Sequence, residues 1–239
     1  MVMLHFKEIC MQYMGSKSRH AKEILPIILN GRLSSQWYVE PFVGGFNLID
    51  KVDGLRLGND IHPYLIALFR ALQEGWVPPI TIDENLYNAI RESKDKYPEY
   101  LVGYVGFNSF GGKFFGGYRR DSIGKRDYWK GHYNNVIKQK SKLEGIVISN
   151  KNYLDLEIPL NSIIYCDPPY SGTTKYSNTF NHEIFWEWVR DKAYDNTVFV
   201  SEYSAPKDFV SVWCKTINNN LARGTGSKRA TEHLFTLRT

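Results

Sequence analysis

The chain is poor in cysteine: Cys10, Cys166 and Cys214 are its three, and no two stand at a Cys-x-x-Cys spacing. An odd number without that spacing argues against a disulfide framework and against a cysteine-rich zinc site. The three read instead as buried small apolar residues of a reducing setting. His5, His20, His62, His132, His182 and His233 form no metal-ligand spacing, so no metal is expected. No apolar run approaches the ~20 residues that a membrane span requires. The first fifteen residues lack the basic head and apolar stretch of a signal peptide. Internal repeats and low-complexity tracts are also missing. The expected protein is soluble and cytoplasmic, with no membrane and no obligate protein partner.

What remains is ordinary globular material. A length of 239 residues, 43% of them hydrophobic, suffices for one α/β core with a smaller inserted lobe. The net charge of +5 is a mild excess, compatible with a polyanion partner without requiring one.

Periodicity gives the elements. Ala21 to Leu29 suits a helix, with Pro26 near its start or kinking it. Trp37 to Glu40 reads as a short buried strand closed by Pro41 and the Gly44-Gly45 turn. Leu55 to Asn59 reads as a second strand. Pro63 to Gln73 is a helix with Leu65, Leu68, Phe69 and Leu72 on one face and proline in its first turn. From Asp83 to about Lys142 the chain turns polar, charged and aromatic, with helix pieces and weak strand signals, and reads as a separate lobe. Continuous β-branched runs return at Ile146 to Ser149 and Ser162 to Cys166, as in a parallel sheet buried on both faces. A helix over His182 to Lys192, a strand over Val198 to Val200, and a terminal hairpin over Ser211 to Ile217 and Glu232 to Leu237 complete the reading. The fold expected is α/β, one doubly wound sheet built from residues 1–82 and 143–239 and interrupted by 83–142.

The sharpest chemical signal is Asp167-Pro168-Pro169-Tyr170. A buried strand delivers an acid to its carboxyl end, where open α/β sheets bind ligands. Two prolines keep the following backbone extended and remove two N–H donors. Carbonyls are then left to accept from a substrate. The pattern suits an exocyclic amine: the Asp167 carboxylate accepts one N–H and the Pro168 carbonyl the other. Holding both hydrogens draws the nitrogen lone pair out of conjugation, so that it can attack an electrophilic methyl. Tyr170 offers a stacking face for a planar base. The four residues by themselves fit equally well a strand–turn in which the acid caps and the prolines bend the chain.

Three further segments are weaker alone. Glu40-Pro41-Phe42-Val43-Gly44-Gly45 places an acid at a strand end before a glycine pair that permits close backbone approach to a ligand, but it is not a dinucleotide fingerprint. Asp60 stands twenty residues after Glu40, the place of an acid that holds ribose hydroxyls, and it also suits a helix cap before Pro63. Tyr13-Met14-Gly15-Ser16-Lys17 precedes a helix. There Lys17 can meet a carboxylate and Tyr13 a ring, while Ser16 can simply cap.

Taken together and in this order, these segments resemble the Dam-type N6-adenine DNA methyltransferases, the D12 class, including short phage members. The order is an aromatic-x-Gly-x-Lys start, an acid-x-Phe-x-Gly loop, an insertion, and then the Asp-Pro-Pro-Tyr tetrapeptide. Gly224 to Phe235 is similar to the family's closing loop and strand, so the likeness spans nearly the whole chain. The resemblance implies a class I S-adenosylmethionine-dependent methyltransferase sheet with a terminal antiparallel hairpin. Site-specific methylation of a flipped adenine in double-stranded DNA is the implied activity, often paired with restriction. Carried over by position, Tyr13, Lys17, Glu40, Phe42, Gly44, Asp60 and Asp167 would meet the cofactor, and Asp167, Pro168, Pro169 and Tyr170 would be catalytic. Two departures stand out: the loop reads Gly-Gly-Phe, and residues 201–203 read Ser-Glu-Tyr where an Asn commonly follows the Ser.

Within the insertion, Phe107 to Arg120 mixes aromatics, glycines and cations. Asn108, Lys113, Arg119, Arg120, Lys125 and Arg126 are expected to meet DNA, with Lys228 and Arg229 as a second phosphate clamp. Aromatics of this run can wedge into the gap left by a flipped base. The same run also fits a solvated surface loop. Phe180 fits either a cover on the flipped base or core packing. Two other readings stay open: the same fold acting on cytosine N4 or an amide nitrogen, and a non-catalytic DNA-binding module. The first-position Asp favours adenine over the former, and the intact motif set argues against the latter.

Overall fold

The computed structural model describes residues 11, 13, 15–120, 126–170, 180–219 and 228–238. Helices α1 (Ala21–Ile28), α2 (Pro63–Gln73), α3 (Glu84–Glu92), α4 (Glu99–Phe107), α5 (Tyr128–Lys140) and α6 (His182–Lys192) accompany seven strands. The strands are β1 (Tyr38–Glu40), β2 (Arg56–Asn59), β3 (Ile146–Ser149), β4 (Ile163–Cys166), β5 (Thr197–Glu202), β6 (Phe209–Asn219) and β7 (Lys228–Leu237). They form one sheet in the order β3-β2-β1-β4-β5-β7-β6. The first five pair in parallel, and β7 pairs antiparallel with both β5 and β6. This is the doubly wound sheet with a terminal hairpin, the class I methyltransferase arrangement expected above. The winding direction reverses between β1 and β4, and that reversal opens the crevice in which such sheets bind ligands.

Alternation along the central strands sorts two cores. Tyr38, Ile163, Tyr165, Phe199 and Leu234 face one layer with α1, α2, α4 and α5. Val39, Ile164, Cys166, Val198, Val200 and Phe235 face the other with α6, through Phe185, Trp186 and Val189. β4 is buried at all four positions, as its β-branched run requires. β3 is not: it pairs with β2 alone at the sheet edge, and Val147 is 49% exposed. Its apolar run therefore marks an edge strand covered on one face, a correction to the reading of burial on both. Pro26 falls in the second half of α1 rather than at its start.

The middle stretch is helical where it is described, with α3, α4 and α5 and no strand among the described residues of 83–142. It does not carry a core of its own. Val102, Tyr104, Val105 and Trp129 belong to the same buried cluster as Leu65, Leu68 and Phe69 of α2. Gly103 marks the contact, because a Cβ there would lie 2.0 Å from the Tyr64 carbonyl oxygen. Close helix packing at a residue without a side chain joins the insertion to the sheet as one packed body.

Candidate active site

β4 carries Asp167 to the carboxyl end of the sheet, beside the switch between β1 and β4. Period-two alternation puts it on the face of Tyr165 and of Tyr38 and Glu40 in the neighbouring strand. Its side chain keeps 20% exposure. Lys17, from the 3-10 turn Lys17–Arg19, lies 2.9 Å away and is only 8% exposed. Lys17 also reaches Glu232 of β7 at 3.4 Å and donates to the Gly15 carbonyl at 3.2 Å. The ammonium sits 4.6 Å from the centre of the Tyr170 ring. The Tyr170 hydroxyl donates to Glu232 at 3.1 Å, and its ring meets Tyr203 edge-on at 4.7 Å. One cation thus serves two carboxylates at the floor of the crevice.

Burial pushes the Asp167 carboxyl above its ordinary value, against the pull of Lys17 and of a hydrogen bond from Tyr170. The two carboxylates outweigh burial at Lys17 and raise it, so the lysine stays charged. Burial also raises Tyr170, which faces Asp167, Glu232 and Glu202, so its hydroxyl remains a donor. The lysine does meet a carboxylate, as the sequence suggested, but the partners are the protein's own Asp167 and Glu232.

The neighbouring strand ends are held differently. Asp60, after β2, accepts from the backbone N–H of Gly44 at 3.1 Å and of His62 at 2.9 Å. It therefore ties the β1 loop to the start of α2, and both the ligand and the capping readings of this acid remain compatible with its place. Gly44 has φ +51°, and a Cβ there would lie 2.8 Å from the Tyr13 ring, which packs 5.7 Å from Phe107. Glu40 is buried and receives the Tyr38 hydroxyl at 2.9 Å, and burial raises its carboxyl well above the usual range. Phe42 lies on the opposite layer against Tyr153, Phe180 and Phe185. Phe180 also contacts Tyr153, His182 and Phe185, so it sits in an aromatic core cluster. Pro168 is buried and Pro169 half-buried.

The expected DNA-facing residues are scattered in environment. Lys113, Arg120 and Arg126 are exposed, and Arg120 forms a bidentate pair with Glu84. Arg119 lies 4.3 Å over the Tyr128 ring, at an open recess of about 340 Å³ that Arg126 and His132 also line. Asn108 is buried, and its amide has no hydrogen-bond partner among the described residues. Lys125 lies outside the described residues, and Lys228 and Arg229 start β7. Of the aromatic run, Phe114 packs against Tyr64, His62 and Phe107, and Phe115 against Tyr87. Phe110 instead stands 73% exposed.

Residue-by-residue reading missed Glu232, Ser201 and Asn59. The Tyr165 hydroxyl and the Ser201 hydroxyl are 2.7 Å apart. Asn59, fully buried, donates to the Pro41 and Lys151 carbonyls and accepts from the Lys151 N–H, which fastens three strand ends together. Glu232 had a signal: period two puts it on the face of buried Leu234, and an acid on a core face needs a partner.

Among solved structures, a methylase from Haemophilus influenzae shares 11% identity, with 94% of this chain and 100% of that chain covered and a TM-score of 0.38. A tRNA methyltransferase from Aquifex aeolicus shares 9%, with 91% and 69% covered and a TM-score of 0.37. A methyltransferase complexed with SAH shares 13%, with 95% of this chain and 55% of that chain covered and a TM-score of 0.38, so this chain spans little more than half its length. No curated protein matches the chain by sequence. Residues 13–109, from Tyr13 to Ser109, match the family model of the D12 class N6 adenine-specific DNA methyltransferases.

Proposed function

We propose that this protein transfers a methyl group from S-adenosylmethionine to the N6 amine of an adenine flipped out of double-stranded DNA. The observation that carries the reading is Asp167: a partly exposed carboxylate at the carboxyl end of β4, beside the switch point, followed by two prolines.

The donor set fits the cofactor. Asp60 offers a carboxylate for ribose hydroxyls, Tyr13 a ring, and the Gly44-Gly45 loop a backbone without side chains. The buried Asn108 amide, next to Phe107, lacks partners among the described residues and can take a polar group of a ligand. Lys17 would reach the cofactor only by exchanging one of its present acceptors. S-adenosylmethionine supplies a methyl group on a sulfonium. Asp167 accepts one amine hydrogen and the Pro168 carbonyl the other, which localises the nitrogen lone pair for attack. As the N–C bond forms, the methyl–sulfur bond would break with its electron pair left on sulfur, and the cationic methylated nitrogen is acidic enough to lose its proton to water without a strong base. Lys113, Arg119, Arg120 and Arg126, in the connection between α4 and α5, are the cations proposed to meet phosphates, with 83–142 as the recognition lobe. Exposed Phe110 is the aromatic of that run available to fill the gap of a flipped base.

Purified protein should bind S-adenosylmethionine in a calorimeter and methylate unmodified genomic DNA. Modification-sensitive sequencing then reports base and context together. Methyl transfer confined to cytosine, or no cofactor binding, would defeat the reading.

A further inference from the structure

Glu232 lies outside the Asp-Pro-Pro-Tyr tetrapeptide and more than sixty residues from it in sequence, yet it closes a ring of contacts around it. Lys17 bridges Asp167 and Glu232, and the Tyr170 hydroxyl donates to Glu232. All four side chains sit at the carboxyl end of the sheet, and Glu232 is 4% exposed. A buried acid is costly unless paired, and this one is paired twice, both times to groups that touch Asp167 or its tetrapeptide.

We infer that Glu232 is a positioning residue for methyl transfer, dividing Lys17 between two carboxylates and anchoring the Tyr170 ring so that Asp167 keeps capacity to accept from the substrate amine. This rests on the function proposed above. If Glu232 were neutral, Lys17 would pair with Asp167 alone and compete with the amine for that carboxylate. Tyr170 would lose the charged acceptor on β7 that fixes its hydroxyl, while its contacts to Tyr203 and Lys17 stay.

The pH consequence has a fixed sign. Asp167 faces Lys17 from the N-terminal turn, Glu232 from β7, Tyr165 and Cys166 from β4, Tyr170 beyond β4, and Glu40 from β1. Glu232 itself faces Lys17, Tyr170, Tyr165 and His20. Its charge works to raise the Asp167 pKa, while Lys17 and the Tyr170 hydroxyl lower it. Removing that charge therefore lowers the pH at which Asp167 ionises, and the acid limb of the rate profile moves down with it.

The test is Glu232→Gln, which keeps shape and loses charge. Carboxyl carbon NMR with labelled aspartate, assigned through Asp167→Asn, follows the Asp167 titration without any turnover. The expected outcome is an Asp167 titration moved to lower pH, an acid limb moved the same way, and kcat lowered on the order of ten- to a hundredfold with KM for DNA nearly constant. A kcat loss with the titration unmoved would make Glu232 merely structural and overturn the inference, as would no change in either. Should Glu232→Gln not fold, Tyr170→Phe cuts the same ring. It is expected to raise the Asp167 titration and lower kcat, and the absence of both changes would overturn the inference. If the wild type methylates no DNA, the functional reading fails, while the titration still decides the role of Glu232.

Discussion

Asp60 and Asp167 follow β2 and β4, the two strands that flank β1, and burial raises the pKa of both. They differ in what holds them. Asp60 is gripped by backbone N–H groups of Gly44, His62 and Ile61, which cannot leave without unmaking the loop. Asp167 is held by the side chains of Lys17 and Tyr170, which can rotate and exchange. A carboxylate fixed by main chain makes a scaffold, and one held by side chains can hand its lone pairs to a substrate. That difference fits the proposed reading, in which Asp167 accepts from the substrate amine and Asp60 stays fixed in the loop that it organises.

Replacing each acid by alanine separates the two roles most sharply. Asp167→Ala should lower methyl transfer by roughly a thousandfold or more, with an unchanged circular dichroism spectrum. Asp60→Ala should instead leave buried N–H groups without an acceptor, at a cost of about 1–3 kcal/mol that a denaturant midpoint will register. Equal stability losses in the two variants would erase the contrast. Gly44→Ala probes the loop that Asp60 grips. Its φ of +51° and a Cβ 2.8 Å from Tyr13 predict a loss of about 1–2 kcal/mol, seen as a lower melting temperature. A thermally silent variant would show that the loop can relax.

A subtler contrast is stability against pH. Asp167 has its pKa raised in the folded protein, so folding favours its neutral form. Its contribution to stability is greatest below the ordinary carboxylate value and is lost as pH rises through the folded value. Asp167→Asn removes that loss, so the melting temperature of the variant relative to wild type should climb with pH across this window. A difference that is flat or falls with pH would show that the ion pair with Lys17 dominates. The smallest effect belongs to Arg120→Ala, since this exposed guanidinium already pairs with Glu84. DNA affinity should weaken slightly and the salt slope fall by about one. An unchanged slope would take Arg120 off the phosphate path.

Much of this was legible in the chain. Helix α2 and strand β3 begin and end where apolar periodicity and Pro63 place them. Asp167 announced itself because a β-branched run and two prolines constrain the backbone on both sides of an acid. The ion-pair ring was not legible, since Lys17 and Glu232 meet only through the antiparallel return of β7 beside β5. Edge position hid in β3 for the same reason: composition records an apolar run, while the number of neighbours is a property of topology. Phe180 joined the core cluster around Phe42 because α6 packs there, a contact that no local pattern encodes.

The most direct test is to incubate unmethylated DNA with labelled S-adenosylmethionine and either wild type or Asp167→Ala, then digest the DNA and identify the labelled nucleoside by mass spectrometry. The result expected is N6-methyladenine from the wild type and essentially none from the variant. Label in N4-methylcytosine, or equal N6-methyladenine from both proteins, would contradict the assignment of adenine chemistry to Asp167.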